Sequence, residues 1–175
     1  MRGTRTWDRV CVVGVALLVS AGTALAEDIS GLISTTRTIR ENSRLVGDVT
    51  CTVTGAPCIQ FGSSHIDLRL NGFTITGPAD PATACGGTSS TTAETGINSG
   101  AQTDVEIRGP GIVQRFRGDG ILFNGTLVGK VEGVTTTTNC MSGIRVAATS
   151  SRITIGSNVS VRNGSAVTGL SCGGI

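Results

Sequence analysis

The stretch Asn139-Cys140-Met141-Ser142-Gly143-Ile144-Arg145-Val146 decides how this chain is read, because it places a Gly-Ile step after a polar corner and follows it with alternating apolar residues. The same step recurs at Gly96-Ile97, Gly120-Ile121 and Gly174-Ile175. Gly96, Gly120 and Gly143 lie 24 and 23 positions apart, and the apolar residues between them keep the two-residue period of a strand. A repeat of that length signals stacked units. Helical units would need long amphipathic runs, which do not occur after the first 26 residues, whereas Thr, Val, Ile and Gly favour short strands and turns.

Working outward, short strands are expected at 66–70, 73–75, 105–107, 121–123, 144–146, 153–155 and 159–161. Their alternation puts Ile66, Leu68 and Leu70 on one face, and likewise Ile121 with Phe123, Ile144 with Val146, and Val159 with Val161. Asn71-Gly72, Asn124-Gly125 and Asn163-Gly164 fall at strand ends, where residues that tolerate positive φ are required. A hairpin meander would space its turn signals about 8–12 residues apart and would not need the longer repeat. A coil in which each strand pairs in parallel with its equivalent one turn later satisfies the backbone of strands this short. Gly is expected to let the chain turn the corner, and the Ile after it to enter an aliphatic stack.

Three segments, 105–123 (VEIRGPGIVQRFRGDGILF), 131–146 (VEGVTTTTNCMSGIRV) and 153–170 (ITIGSNVSVRNGSAVTGL), resemble successive repeats of the right-handed parallel β-helix proteins, the pectate-lyase-like family. The resemblance implies an all-β, single-stranded right-handed solenoid. Residues 27–44 are expected to form a lead-in or cap, and 45–175 the repeats, interrupted by a Pro/Gly/Thr/Ser-rich loop at 78–95. The closing Ser-Cys-Gly-Gly-Ile begins another repeat without a polar cap. It reads either as a fragment of a longer protein or as an open edge covered by a partner or a second copy.

The first 26 residues read as a secretory signal, with the basic MRGTRTWDR, the apolar VCVVGVALLVSAG and the small-residue Ala-Leu-Ala before Glu27. The apolar core is shorter than the ~20 residues that span a bilayer, so a secreted, periplasmic or cell-surface protein with no membrane segment after cleavage is expected. Cleavage takes Arg2, Arg5 and Arg9 from the 14 basic residues and Asp8 from the 12 acidic ones, leaving a near-neutral chain without the basic surplus that nucleic-acid binding rests on. It also removes Trp7, leaving no Trp or Tyr.

Cys51, Cys58, Cys85, Cys140 and Cys172 remain. Cys51 and Cys58 bracket a Gly-Ala-Pro turn and are the expected disulfide; the other three allow one more bridge and one free thiol, or pairing with a missing segment. Their spacing does not fit a metal site.

The alternation that buries Ile66, Leu68, Val105 and Ile107 sends Asp67, Arg69, Glu106 and Arg108 outward in the matching segments IDLR and VEIR. Acid then stacks on acid and Arg on Arg, with diagonal pairing expected to relieve the repulsion. Such a set is either a surface ion ladder of little energetic weight or a groove for a sugar acid, in which Arg grips carboxylate and the acids hold hydroxyls or Ca²⁺.

The lyases of the family abstract a proton with Arg or Lys beside acid-bound Ca²⁺. This resemblance leaves Asp67, Glu106 and Glu132 as isolated acids, and the paired Asp, Gly-His-Gly and Arg-Ile-Lys motifs of the polygalacturonases are not found. Asp119 in Gly-Asp-Gly is read as a corner residue, and His65, the one histidine, as a strand-end residue without a triad partner. The loop's Asp80, Glu94 and Cys85 are read as docking it on later repeats. The sequons at Asn124, Asn158 and Asn163 match a glycosylation acceptor, as chance allows in such a composition.

Two functions follow as expectations. The first is an exported non-enzymatic scaffold or weak binding module without a cofactor. The second is part of a polysaccharide lyase or hydrolase acting on an acidic glycan, the one setting in which Ca²⁺ enters. The lack of Trp and Tyr, whose ring faces usually hold sugars, weighs against the second.

Overall fold

A computed structural model of the protein describes residues 26–79, 85, 93–164 and 174–175. The expected signal segment, most of the 78–95 loop including Asp80, and Cys172 lie outside the described residues.

Among the described residues every regular element is a strand and every strand pairing is parallel. The order is β1 (Glu27–Ile33), β2 (Arg37–Ile39), β3 (Ser43–Cys51), β4 (Ile59–Phe61), β5 (Ile66–Arg69), β6 (Thr74–Thr76) and β7 (Ile97–Asn98). It continues with β8 (Val105–Gln114), β9 (Ile121–Phe123), β10 (Gly129–Thr137), β11 (Ile144–Val146), β12 (Ile153–Gly156) and β13 (Val159–Val161). The chain alternates between two sheets. One follows the order β1-β3-β5-β8-β10-β12, with β6 beside β3 and β8 and β13 beside β10; the other runs β11-β9-β7-β4-β2.

The larger sheet has two panels. The first parts of β3, β8 and β10 pair with β5 or β12 and form a front panel, while their later parts pair with β6 or β13 and form a side panel. A register shift between Glu132 and Val134 marks the division. Residues 27–44 supply β1, β2 and the start of β3, and β1 pairs in parallel with β3, with a register shift between Ile29 and Gly31.

The Gly-Ile steps form one column. Ile59, Ile97, Ile121 and Ile144 are neighbours across β4, β7, β9 and β11, and none is exposed. The residue before each later Ile provides the carbonyl for the Ile before it in the column: the Ile59 N–H donates to Gly96 O at 3.0 Å, Ile97 to Gly120 O and Ile121 to Gly143 O at 2.9 Å, and Ile144 to Gly174 O at 3.3 Å.

The role of these glycines differs from the expected one. Gly96, Gly120 and Gly143 are not left-handed; what they need is the absence of a side chain. A Cβ on Gly96 would lie 2.5 Å from Gly120 O, one on Gly120 would lie 2.7 Å from Gly143 O, and one on Gly143 would lie 2.3 Å from Ser160 Oγ. Sequence repetition reflects close stacking here, not backbone freedom.

The core lies between the panels and the smaller sheet. Leu68, Ile107 and Val131 form a fully buried column, extended by the half-buried Ile155. One expected pair faces the other way. Val159 and Val161 are 51% and 45% exposed, because the register of β13 on β10 puts Thr135 beside Val159 and Thr137 beside Val161, so that Ser160 takes the inward place next to buried Thr136. The β13 alternation is real, but its inward residue is the polar one.

The side-panel corner carries a polar ladder. Asn139 is fully buried; its Oδ1 accepts from the Phe116 N–H at 3.1 Å, and its Nδ2 donates to Val113 O at 3.2 Å. Asn163, 24 positions on, accepts from the Asn139 N–H through Oδ1 at 3.0 Å and donates from Nδ2 to Thr136 O at 3.0 Å. These amides satisfy corner backbone groups that strand pairing leaves open.

Candidate functional site

The front panel presents the four residues singled out from the sequence. Asp67 neighbours Glu106 and Arg69 neighbours Arg108 across β5 and β8, and β10 adds Lys130 beside Glu106 and Glu132 beside Arg108. Acid therefore stacks on acid and Arg on Arg. The pairing that relieves this runs mainly along each strand, not diagonally. Arg69 Nε lies 2.7 Å from Asp67 Oδ2 and Arg108 Nη2 lies 2.5 Å from Glu106 Oε2, whereas the diagonal Arg108 Nε to Asp67 Oδ2 separation is 4.0 Å. Residues i and i+2 of a strand share a face, so a long Arg side chain reaches its own strand's acid.

The ladder continues through Lys130, whose Nζ lies 3.2 Å from Glu106 Oε1 and 2.5 Å from Glu132 Oε2. Asp67 points outward yet its side chain is only 12% exposed, beneath Arg69 and Arg108, and its N–H donates to Asn42 Oδ1 at 3.0 Å. The two guanidinium side chains stay about half exposed.

The strip's electrostatics follow its pairs. The hydrogen bond to Asp67 raises Arg69 above the ordinary guanidinium value. Hydrogen bonds to Glu132 and then Glu106 raise Lys130, and the bond from Lys130 lowers Glu132. At the other end of the panel the Arg44 hydrogen bond lowers Asp28.

Beside the strip lies a shallow hollow of about 220 Å³, lined by Asn42, His65, Ile66, Asp67, Arg69, Asp104, Glu106 and Arg108. His65, read from the sequence as a strand-end residue without a triad partner, has Asp104 Oδ2 3.0 Å from its Nδ1, across 39 positions of sequence; both side chains are mostly exposed. Among the described residues no group of three His, Cys, Asp or Glu side chains is placed to hold a metal ion.

A second set of charges lies at the corners leading into the smaller sheet, where the sequence reads Asp119 as a corner residue and Glu94 as docking its loop but names no partner for either. Asp119 is fully buried; Oδ1 accepts from the Ser142 N–H at 3.0 Å and Oδ2 faces Arg145 Nε at 2.8 Å. Burial raises its pKa, opposed by the Arg145 charge and the Ser142 bond. Glu94 is 5% exposed, accepts from the Gly55 N–H at 2.9 Å and lies 3.2 Å from Arg117 Nη1. The alternation rule carries no signal for either acid, because both precede strands and their partners lie elsewhere in sequence. The repeat interval could have found a contact for each, since Asp119 lies 23 positions from Ser142 and Glu94 lies 23 positions from Arg117.

Cys51 is joined to Cys58, with Cα atoms 6.1 Å apart, and Cys85 to Cys140, at 5.1 Å. The second bond ties the loop residue to the corner ladder beside Asn139, where Cys85, Cys140 and Ala79 form a small buried cluster. Two disulfides fit an oxidising compartment. Comparison of the chain with family models, with curated proteins and with solved structures returns no match.

Proposed function

We propose that the chain is a single-stranded right-handed parallel β-helix, exported by a cleaved signal segment, that serves as a non-enzymatic scaffold or weak binding module outside the cytoplasm. The observation that supports this reading is how the outward charges are used. Asp67, Arg69, Glu106 and Arg108 have each other and Lys130 as partners, and the buried Asp119 and Glu94 bind backbone N–H groups of neighbouring circuits. Charges spent on the scaffold leave a surface of low net field, suited to support more than to catalysis. The reading is tested by incubating the full chain with uronate polymers and Ca²⁺ and following ultraviolet absorbance, together with glycan pull-down. Absence of both signals is expected. Appearance of unsaturated product overturns it.

A second reading rests on the hollow beside the strip. Arg69 and Arg108 stand in register, half exposed, above Asp67 and Glu106, and a planar carboxylate of an acidic glycan would find two guanidinium groups one strand spacing apart. Binding there without turnover would make the protein a glycan-binding module, with Ca²⁺ entering only if the acids exchange their Arg partners for a cation. Loss of binding in Arg69→Ala and Arg108→Ala, with an unchanged melting profile, is the expected result for that reading; binding that survives both changes removes it. N-terminal sequencing of secreted material, expected to begin near Glu27, tests export.

A further inference from the structure

Three Asn-Gly pairs occupy corners of this protein, identical as dipeptides and different in their surroundings. At Asn71-Gly72 the side chain is tied, with Nδ2 donating to Leu45 O at 3.0 Å, and the Gly72 N–H donates to Pro110 O at 2.6 Å. At Asn163-Gly164 Oδ1 accepts from Asn139, Nδ2 donates to Thr136 O, and the Gly164 N–H donates to Asn139 O at 3.1 Å. The third pair is held only through its backbone. The Asn124 N–H donates to Ser99 Oγ at 3.3 Å, but its exposed side-chain amide and the Gly125 N–H make no hydrogen bond among the described residues.

We propose that Asn124-Gly125 is a site of spontaneous covalent modification, converting in the folded protein to aspartate and isoaspartate while the two other pairs are protected. The Gly125 backbone nitrogen attacks Asn124 Cγ. A bond forms between that nitrogen and Cγ, the Cγ–Nδ2 bond breaks, and Nδ2 departs as ammonia carrying the proton lost from the Gly125 N–H. Water then opens the five-membered imide at either carbonyl. One opening gives Asp at position 124; the other gives isoaspartate, which lengthens the backbone by one methylene. No oxidant or cofactor is required.

Two features make the step available here and not elsewhere. The Gly125 nitrogen sits in a left-handed glycine turn at φ 76°, as Gly72 and Gly164 do at φ 87° and 81°, and differs from them in that it need not abandon a carbonyl to react. The electrophilic amide is exposed and free to rotate toward it. At Asn71 and Asn163 the same approach requires breaking hydrogen bonds on both reacting groups, which lowers the reactive population.

The corner is not a neutral place for an extra methylene. Directly after it the buried Thr126 hydroxyl donates to Gly100 O at 2.9 Å and the Thr126 N–H donates to Ser150 Oγ at 3.1 Å, a ladder that joins three circuits between the smaller sheet and the front panel. Isoaspartate at 124 would shift Thr126 relative to both partners.

The test uses the full folded chain, incubated in mildly alkaline buffer made with heavy-oxygen water and followed by peptide mapping in a mass spectrometer. Label is expected at Asn124 at least about tenfold faster than at Asn71 or Asn163, since each protected pair must first lose hydrogen bonds. In concentrated urea the three rates should converge, because only the fold distinguishes them. Asn124→Gln should abolish labelling at that position and leave the other two unchanged. The proposal is overturned if Asn124 converts no faster than the other two in the folded chain, or if the three rates keep their ranking in urea.

Discussion

One inward column of the side panel runs Val49, Ile75, Val113 and then Thr136 and Ser160, and the adjoining corner runs Phe116, Asn139, Asn163. Along this side panel the earlier strands therefore present aliphatic side chains inward and the later ones hydrogen-bonded polar side chains, within the same backbone geometry. Aliphatic contact is tolerant of shape and scales with buried area. A buried amide stabilises only while its partners are all in place, and becomes a cost once one is lost. The two ends should thus respond differently to the same kind of mutation.

The largest expected effect is in the aliphatic stack. Ile121→Ala removes a fully buried side chain between Ile97 and Ile144, and thermal or denaturant unfolding should show a loss of about 2–5 kcal/mol. A loss near zero would mean that the Gly-Ile column does not carry the core.

Asn139→Ala comes next. It leaves the Phe116 N–H without its side-chain acceptor and Val113 O without its amide donor, at about 1–3 kcal/mol for such buried groups. Thr136→Val sharpens the contrast, since it removes one hydroxyl contact of 3.2 Å to Ser160 but adds a methyl group to an aliphatic column. Its effect should lie within about 1 kcal/mol of zero. If Thr136→Val proved as damaging as Asn139→Ala, hydroxyls and amides would be equally exacting there.

Asp119 separates the two kinds of interaction by pH. Its folded pKa is raised by burial, so between the unfolded and folded values the folded chain binds more protons, and stability falls as pH rises through that interval. Glu132 and Asp28 have lowered folded values, so their contribution is present above the ordinary carboxylate range and is lost as pH falls through their folded values. Asp119→Asn keeps an acceptor for the Ser142 N–H and should flatten the first of these trends while leaving the second, as read from melting curves across the acidic range. An unchanged pH profile would show that Asp119 is no more strained as an anion in the fold than in the open chain.

The smallest effect is expected on the front panel. Arg108→Ala removes half-exposed pairs with Glu106 and Asp67, which are screened by solvent and salt, and a stability change under about 1 kcal/mol is expected. A much larger loss would mean that the ladder is structural.

Legibility in the sequence varied with the physics involved. The Ile column was plain because a period of 23–24 residues brings like onto like and alternation declares which side is buried. The charged strip was legible for the same reason: IDLR and VEIR share a pattern, and β5 and β8 align them residue for residue. Its pairing was not, because a guanidinium choosing between the same strand and a diagonal neighbour is a matter of side-chain reach. Val159 and Val161 misled because alternation says which residues share a side but not which side faces in; the register on β10 decided that. Asp119 reads as a corner residue and Glu94 as a docking one, but their partners, like the Asp104 contact of His65, do not show, because each joins segments 23 or 39 positions apart at corners, where no alternation applies.

Taken alone, the sequence determined the period, the strand type and the apolar stripe, since these depend on side-chain chemistry repeated at fixed spacing. Tertiary structure decided what each small or polar residue does. Gly96, Gly120 and Gly143 have to be small because atoms of neighbouring segments lie against them, and three identical Asn-Gly corners differ in whether a neighbouring segment offers them a partner. Those outcomes depend on distances between segments that are remote in sequence, which no residue carries by itself.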